Sequence, residues 1–176
     1  MILTLFYLFS FSGHKEGIAG VTWMESATDV ITASWDHTIR AWDAETGTIK
    51  SELVGNKAFF DVSYSPEKKM ILAASCERTI RMYDPRSTQG LLVKSAYSSH
   101  QGWVSSVDWC TYNDHLFVSG SHDTLLKMWD VRACKTPLFD LKGHTDQVLA
   151  VSWADPEAIV SGGADNDMKI FKSNIK

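Results

Sequence analysis

Ten residues, Ser34-Trp35-Asp36-His37-Thr38-Ile39-Arg40-Ala41-Trp42-Asp43, constrain this chain more than its composition does, because their pattern comes back three times. The next copies are Ser75-Cys76-Glu77-Arg78-Thr79-Ile80-Arg81-Met82-Tyr83-Asp84 and Ser121-His122-Asp123-Thr124-Leu125-Leu126-Lys127-Met128-Trp129-Asp130. A worn copy ends the series at Asp165-Asn166-Asp167-Met168-Lys169-Ile170-Phe171-Lys172. The closing aromatics Trp42, Tyr83, Trp129 and Phe171 lie 41, 46 and 42 residues apart. Upstream of three copies a small residue precedes His, at Gly13-His14, Ser99-His100 and Gly143-His144, and Gly55-Asn56 holds the place in the second unit. Self-similarity at a fixed period means units that bury their apolar faces against their neighbours.

A period of about 40–45 residues with Gly-His and Trp-Asp marks is that of WD40 repeats, which this sequence resembles. The resemblance implies an all-β fold, four consecutive blades of a seven-bladed propeller, spanning about 13–54, 55–98, 99–142 and 143–176. Each unit reads as four short strands. In the first they are Ile18 to Trp23, Asp29 to Ser34, Thr38 to Trp42 and Ile49 to Leu53, with the Gly-bearing polar stretch Asp43 to Thr48 as a hairpin turn. The second unit places strands at Val62 to Pro66, Met70 to Ser75, Thr79 to Tyr83 and Leu91 to Ser95. The third uses Val104 to Trp109, Leu116 to Ser121, Leu125 to Trp129 and Pro137 to Leu141; the fourth uses Val148 to Trp153, Ala158 to Ser161 and Met168 to Phe171. No segment sustains a helical period.

Residues 1–12 stand apart: Met1 to Phe11 is almost wholly apolar. It lacks a basic flank and a small-residue cleavage site and is too short to span a bilayer, so neither a signal peptide nor a membrane role is expected. It reads as a strand or as a start foreign to the repeat family. As a strand, Leu3 to Phe11 would pair beside Met168 to Phe171 and complete the last blade.

The 17 basic and 21 acidic residues are interspersed, giving a net charge of −4 and no electrostatic case for direct nucleic-acid binding. Cys76, Cys110 and Cys134 are an odd set without metal-ligand spacing, which argues against a disulfide framework and a zinc site and fits a reducing compartment. His37, His115 and His122 show no ligand spacing either, and no cofactor motif occurs.

His14, Ser34 and Asp36 invite a catalytic-triad reading. Recurrence once per unit argues against it, since an enzyme needs one such site. The WD40 resemblance implies instead a hydrogen-bonded chain of His, turn Asp, strand hydroxyl and Trp inside each blade. In the first blade it would use His14, Asp36, Trp42 and either Thr32 or Ser34; in the third, His100, Asp123, Trp129 and either Ser119 or Ser121. His144 and Asp165 carry it in the fourth, where Phe171 removes the indole; Asn56, Glu77 and Tyr83 depart from it in the second, so both are expected to be weaker. Trp23, Tyr64, Trp109 and Trp153 recur at the end of the first strand, and such aromatics build the repeat. Trp35, Trp103 and His122 are large where other units have small or different residues. In WD40 proteins these positions line the narrow face that meets partners, which makes the three candidate contact residues.

A closer resemblance runs through the wording of the units. Ala33 to Arg40 with Trp42-Asp43, Leu53-Val54-Gly55-Asn56-Lys57, Ser63-Tyr64-Ser65-Pro66, Asp84-Pro85-Arg86, Gly102 to Val107, Lys127 to Lys135 and Gly162 to Asn166 are similar to the family of WD-repeat subunits of the PeBoW complex. That resemblance implies a non-enzymatic scaffold without cofactors, located in the nucleolus and nucleoplasm. Its partners would be the block-of-proliferation protein and pescadillo on the pre-60S particle, where the family supports maturation of the large-subunit ribosomal RNAs and assembly of the 60S subunit. The family's ubiquitin-like domain, which engages midasin, has no counterpart in these 176 residues, so a midasin contact is not expected of them. The alternative is a WD40 adaptor of another pathway, a chromatin reader or a substrate receptor of a ubiquitin ligase.

Overall fold

A computed structural model describes residues 10–24, 28–86 and 93–172. Among them are fifteen strands in four antiparallel sheets. The first sheet is β1 (Ile18–Trp23), β2 (Asp29–Ser34), β3 (Thr38–Asp43) and β4 (Ile49–Val54), and the second is β5 (Phe59–Ser65), β6 (Met70–Ser75), β7 (Thr79–Tyr83) and β8 (Val93–Ser98). The third is β9 (Val104–Trp109), β10 (Leu116–Ser121), β11 (Leu126–Asp130) and β12 (Phe139–Leu141); the fourth holds β13 (Val148–Asp155), β14 (Ala158–Gly163) and β15 (Met168–Lys172). Strand order follows chain order in every sheet, so each is a meander. The strand positions expected from the sequence hold to within a few residues; Leu91 and Leu92 and residues 1–9, with the expected pairing of Leu3 to Phe11, lie outside the described residues. Phe11 itself stacks at 6.2 Å on Trp42 of the first blade.

The inner strands β1, β5, β9 and β13 are neighbours in that order, and the sheets stack face to face. Stacking explains the burial. Middle strands such as β2, β3, β6 and β10 are covered on both faces and read as nearly unbroken buried runs, whereas outer strands such as β4 and β8 are mostly exposed. Three apolar clusters fill the seams. Ile31, Ile39 and Leu53 meet Phe59, Val62 and Ile71; Leu72, Ile80 and Met82 meet Val107, Phe117 and Trp129; Val118, Leu126 and Met128 meet Val148, Trp153 and Ile159.

The recurring end-of-strand aromatics do pack these seams in three blades, with Tyr64, Trp109 and Trp153 buried. Trp23 differs, at 60% exposed, and Val21 beside it is 67% exposed. At the other end of the stack Met168 and Ile170 are likewise exposed.

Half-buried carboxylates cross the seams near the inner strands. Asp61 accepts hydrogen bonds from Ser106 Oγ (2.6 Å) and Val107 N (3.0 Å), and Asp108 from Ser63 Oγ (3.1 Å) and Trp153 N (2.8 Å). Burial pushes both carboxyls up despite these donors.

Close approach between blades demands small side chains. A Cβ on Gly120 would stand 2.6 Å from Val148 Cγ1 and 2.8 Å from Val151 Cγ1, contacts that no real Cβ makes. Gly120→Ala is therefore expected to force blades three and four apart and to lower stability by about 1–3 kcal/mol, read from denaturant melts.

Candidate functional site

The turn between the two middle strands organises each blade. In the first, Asp36 accepts at Oδ1 from Thr38 N (2.9 Å) and at Oδ2 from Lys15 N (3.0 Å) and His14 Nδ1 (2.8 Å). Such a carboxylate cap lets the following residue turn into the left-handed region: His37, Thr124 and Asn166 have φ of 68°, 73° and 65°. The imidazole passes the chain inward. Its Nε2 accepts from Thr32 Oγ1 (2.6 Å), which in turn accepts from Trp42 Nε1 (2.8 Å). The third blade repeats this with Asp123, His100, Ser119 and Trp129 at 2.8, 2.8 and 2.9 Å. In the fourth, His144 joins Asp165 (2.9 Å) to Ser161 Oγ (2.8 Å), and Phe171 offers no donor.

Two of the expected hydroxyls do something else. Ser34 and Ser121 do not bridge His to Trp; their Oγ atoms accept from the backbone N of Asp36 and Asp123, both at 3.1 Å. They shape the turn, while Thr32 and Ser119, two residues earlier on the same strand face, carry the chain. Because Ser34 neither touches His14 nor lies open, the triad reading has no geometry behind it.

The second blade contains none of these links. Asn56, Ala73, Glu77 and Tyr83 replace all four members, and Arg78 lies outside the left-handed region adopted by its three counterparts. The middle ladder also stops one rung earlier: it ends at Ala73 with Arg81, where the other blades continue to Ala33 with Ile39, Gly120 with Leu126 and Gly162 with Met168. Ala73 is the replacement that the sequence reading missed. It was legible by counting two residues back from Ser75.

The candidate contact residues sit at the ends of the inner strands, beside the turns. Four identical backbone bonds show that their positions are equivalent: Trp35 N to Gly17 O, Cys76 N to Ala58 O, His122 N to Trp103 O and Ala164 N to Gln147 O. Trp103 and His122 are brought together, ring centroids 5.6 Å apart, and Phe60 joins them at 6.1 and 6.4 Å. Trp103 is 51% exposed. Arg78, Gln101 and Gln147 border a depression of about 340 Å³ beside this cluster, which thus spans blades two to four. Trp35, half exposed, lies over Gly17 on the first blade, apart from that depression.

Phe60 was not foreseen. It is the extra residue of a β-bulge between Phe59 and Asp61, a shift repeated at Ile18/Gly20 and Val148/Ala150, and a bulge re-aims its side chain away from the sheet. No group of three or more His, Cys, Asp or Glu is arranged to hold a metal among the described residues.

With this geometry in view, comparison with known proteins is decisive for the fold family. The family model of the WD domain, G-beta repeat, matches residues 6–43, 47–84, 91–130 and 135–172. The chain belongs to the WD40 repeat family. Each matched repeat ends with the third strand of a blade, so a WD40 repeat takes its first strand from the preceding sheet, as residues 47–84 take β4. Among curated proteins, the chain is 51% identical over 168 residues to the ribosome biogenesis protein WDR12 homolog of Culex quinquefasciatus, covering 96% of this chain and 39% of that protein. Its likeness to the homologs of Aedes aegypti (51% over 164 residues, 93% and 38% covered) and Ixodes scapularis (50% over 161 residues, 92% and 38% covered) is of the same order. The chain thus spans under two fifths of the length of these relatives.

Two outcomes are expected of the WD40 hydrogen-bond chain. Ser119→Ala strands the buried His100 Nε2 and Trp129 Nε1 together and lowers stability by about 1–3 kcal/mol, whereas Ser121→Ala, losing one turn contact, costs about 0.5–1.5 kcal/mol; chemical denaturation ranks the two. Acid should act through the turn carboxylates. Burial pushes Asp123 up, but His100, Gln101 N and Leu125 N outweigh it and hold it well below the carboxylate range; the Thr145 and Asp167 N–H groups and His144 hold Asp165 at about 2. With folded values depressed, their stabilisation is full above the ordinary value of 3.8 and is lost as pH falls towards 2, so the melting temperature is expected to drop across that window.

Proposed function

We propose that this chain is propeller sequence of a ribosome-assembly scaffold, and that the Phe60–Trp103–His122 surface docks a protein partner. The similarity to WDR12 homologs named for ribosome biogenesis supports the pathway. One structural observation carries the surface: three aromatic rings from two blades converge beside a depression at one end of the stack, with Trp103 half exposed. Exposed aromatic clusters rimmed by polar groups such as Arg78 and Gln147 are the usual anchors of protein interfaces. Repeated polar chains that tie up His and Asp inside blades leave those groups to structure, which fits a non-catalytic role.

Under this reading the partners are the block-of-proliferation protein and pescadillo on pre-60S particles, the output is maturation of the large-subunit ribosomal RNAs, and the location is the nucleolus and nucleoplasm. Trp103→Ala with His122→Ala is expected to cut recovery of pescadillo and precursor large-subunit RNA with the tagged chain about tenfold or more, without changing its melting temperature, as removal of an aromatic hot spot does. Tyr112→Ala, an exposed aromatic outside the cluster, should leave recovery intact. Unchanged recovery by the double variant would sink the docking surface, and recovery of histones or cullins in place of pescadillo would sink the pathway.

A further inference from the structure

The second blade, stripped of its hydrogen-bond chain, holds a cavity of about 160 Å³ where the other blades hold an imidazole. Its lining includes the substitutes themselves: Asn56 for His, Glu77 for the turn Asp and Tyr83 for Trp, together with Ser75, Arg81 and Lys57. Tyr83 and Ser75 are 4% and 2% exposed, yet neither hydroxyl has a hydrogen-bond partner among the described residues. In blades one and three the counterparts of Ser75 accept from the turn N–H, a contact that the altered turn withdraws here. Both residues line the cavity, and their hydroxyls face its open space, where an acceptor can reach them.

The charges say what would fill it. In the first and third blades the basic residue of the third strand pairs with an acid on the outer strand, Arg40 with Glu52 (2.8 Å) and Lys127 with Asp140 (2.6 Å). Arg81 faces Ala96 there, and turns to Glu77 instead. Glu77 is thereby neutralised, and the groups left over are donors: the Tyr83 and Ser75 hydroxyls, the Asn56 amide, Lys57 and the remaining N–H groups of Arg81. Burial pushes the Tyr83 phenol up, so it stays a donor at neutral pH. Val54 and Val93, 73% and 49% exposed, also line the cavity and present apolar surface at its rim.

We infer that this cavity receives the carboxylate of a glutamate or aspartate side chain from a partner's peptide segment, with an apolar neighbour of that residue resting on Val54 and Val93. It is a site separate from the aromatic depression, though consecutive residues line the two: Glu77 faces the cavity and Arg78 the depression. A partner gripping the aromatic cluster could therefore reach it, but the cavity stands on its own lining and does not depend on the docking role of Trp103.

The test uses the 176-residue chain and the acetylated, amidated pentapeptide Ala-Leu-Glu-Leu-Ala, its Gln counterpart, and acetate and inorganic phosphate as free ions, followed by amide chemical shifts. Saturable shifts at Lys57, Ser75 and Tyr83 are expected with the Glu peptide, at least tenfold tighter than with the Gln peptide or either free ion. The combined variant Asn56→His, Ala73→Ser, Glu77→Asp, Tyr83→Trp rebuilds the chain found in blades one and three; it should melt higher and lose the peptide shifts, showing that the cavity and not the fold was removed. Equal binding of the Glu and Gln peptides, no saturable shift, or retention of the shifts in the rebuilt variant overturns the inference. Free ions binding as tightly as the Glu peptide overturns the peptide as occupant.

Discussion

In three of the four blades one carboxylate, at the turn between the middle strands, ties the incoming connector to its sheet. Asp123 accepts from Leu125 N in its own turn and from Gln101 N and His100 in the connector that arrives from the preceding blade. A single side chain thus shapes a tight turn and staples the incoming connector to it. Asp36 and Asp165 repeat the arrangement with Lys15 and His14, and with Thr145 and His144. A buried anion is tolerated here because several donors converge on it; with a donor removed, more of the desolvation cost would stand uncompensated.

The seams obey the opposite electrostatics. Asp61 and Asp108 also bridge blades, but burial outweighs their donors, and the Asp108 charge pushes Asp61 up further, so both sit above the usual carboxylate range. Their folded-state values being raised, they favour the fold at pH below the ordinary value and that contribution fades as pH rises. Acid therefore weakens the turns while easing the seams. Three turn carboxylates are held far below the ordinary range against two in the seams pushed above it, so the net direction follows the turns.

How much of this could be read from the chain alone depended on whether a feature was periodic. Strands were legible because the repeat sets four apolar runs per unit, and the His–Asp pairing because both members recur. Thr32 against Ser34 was not, since residues two apart share a strand face and the choice between them is made by how deep the ring of His14 reaches. Phe60 was hidden for a related reason: counting along a strand assumes regular alternation, and the bulge at that residue breaks it. Trp23 was assigned to packing by its repeat position, yet packing also needs a neighbouring face, and among the described residues nothing covers it as Trp109 and Trp153 are covered.

The second blade shows why its four members change together, where the fourth blade forgoes only the indole. Replacing His by Asn56 alone would leave the strand hydroxyl without its acceptor and the aspartate short of one donor in a buried place, each costing about 1–3 kcal/mol. Removing the hydroxyl at Ala73, exchanging the indole for Tyr83 and lengthening the acid to Glu77 removes those debts together. Glu77 then finds Arg81, which has Ala96 and no acid across the ladder. The turn, freed of its cap, no longer needs a left-handed residue at Arg78, and the ladder ends a rung early. What this coordinated exchange does not remove is the space of the imidazole and the two hydroxyls of Ser75 and Tyr83 that border it. A blade that had merely lost its polar chain would be expected to close with apolar side chains; this one retains donors around an opening, the arrangement of a receptor and not of a repacked core.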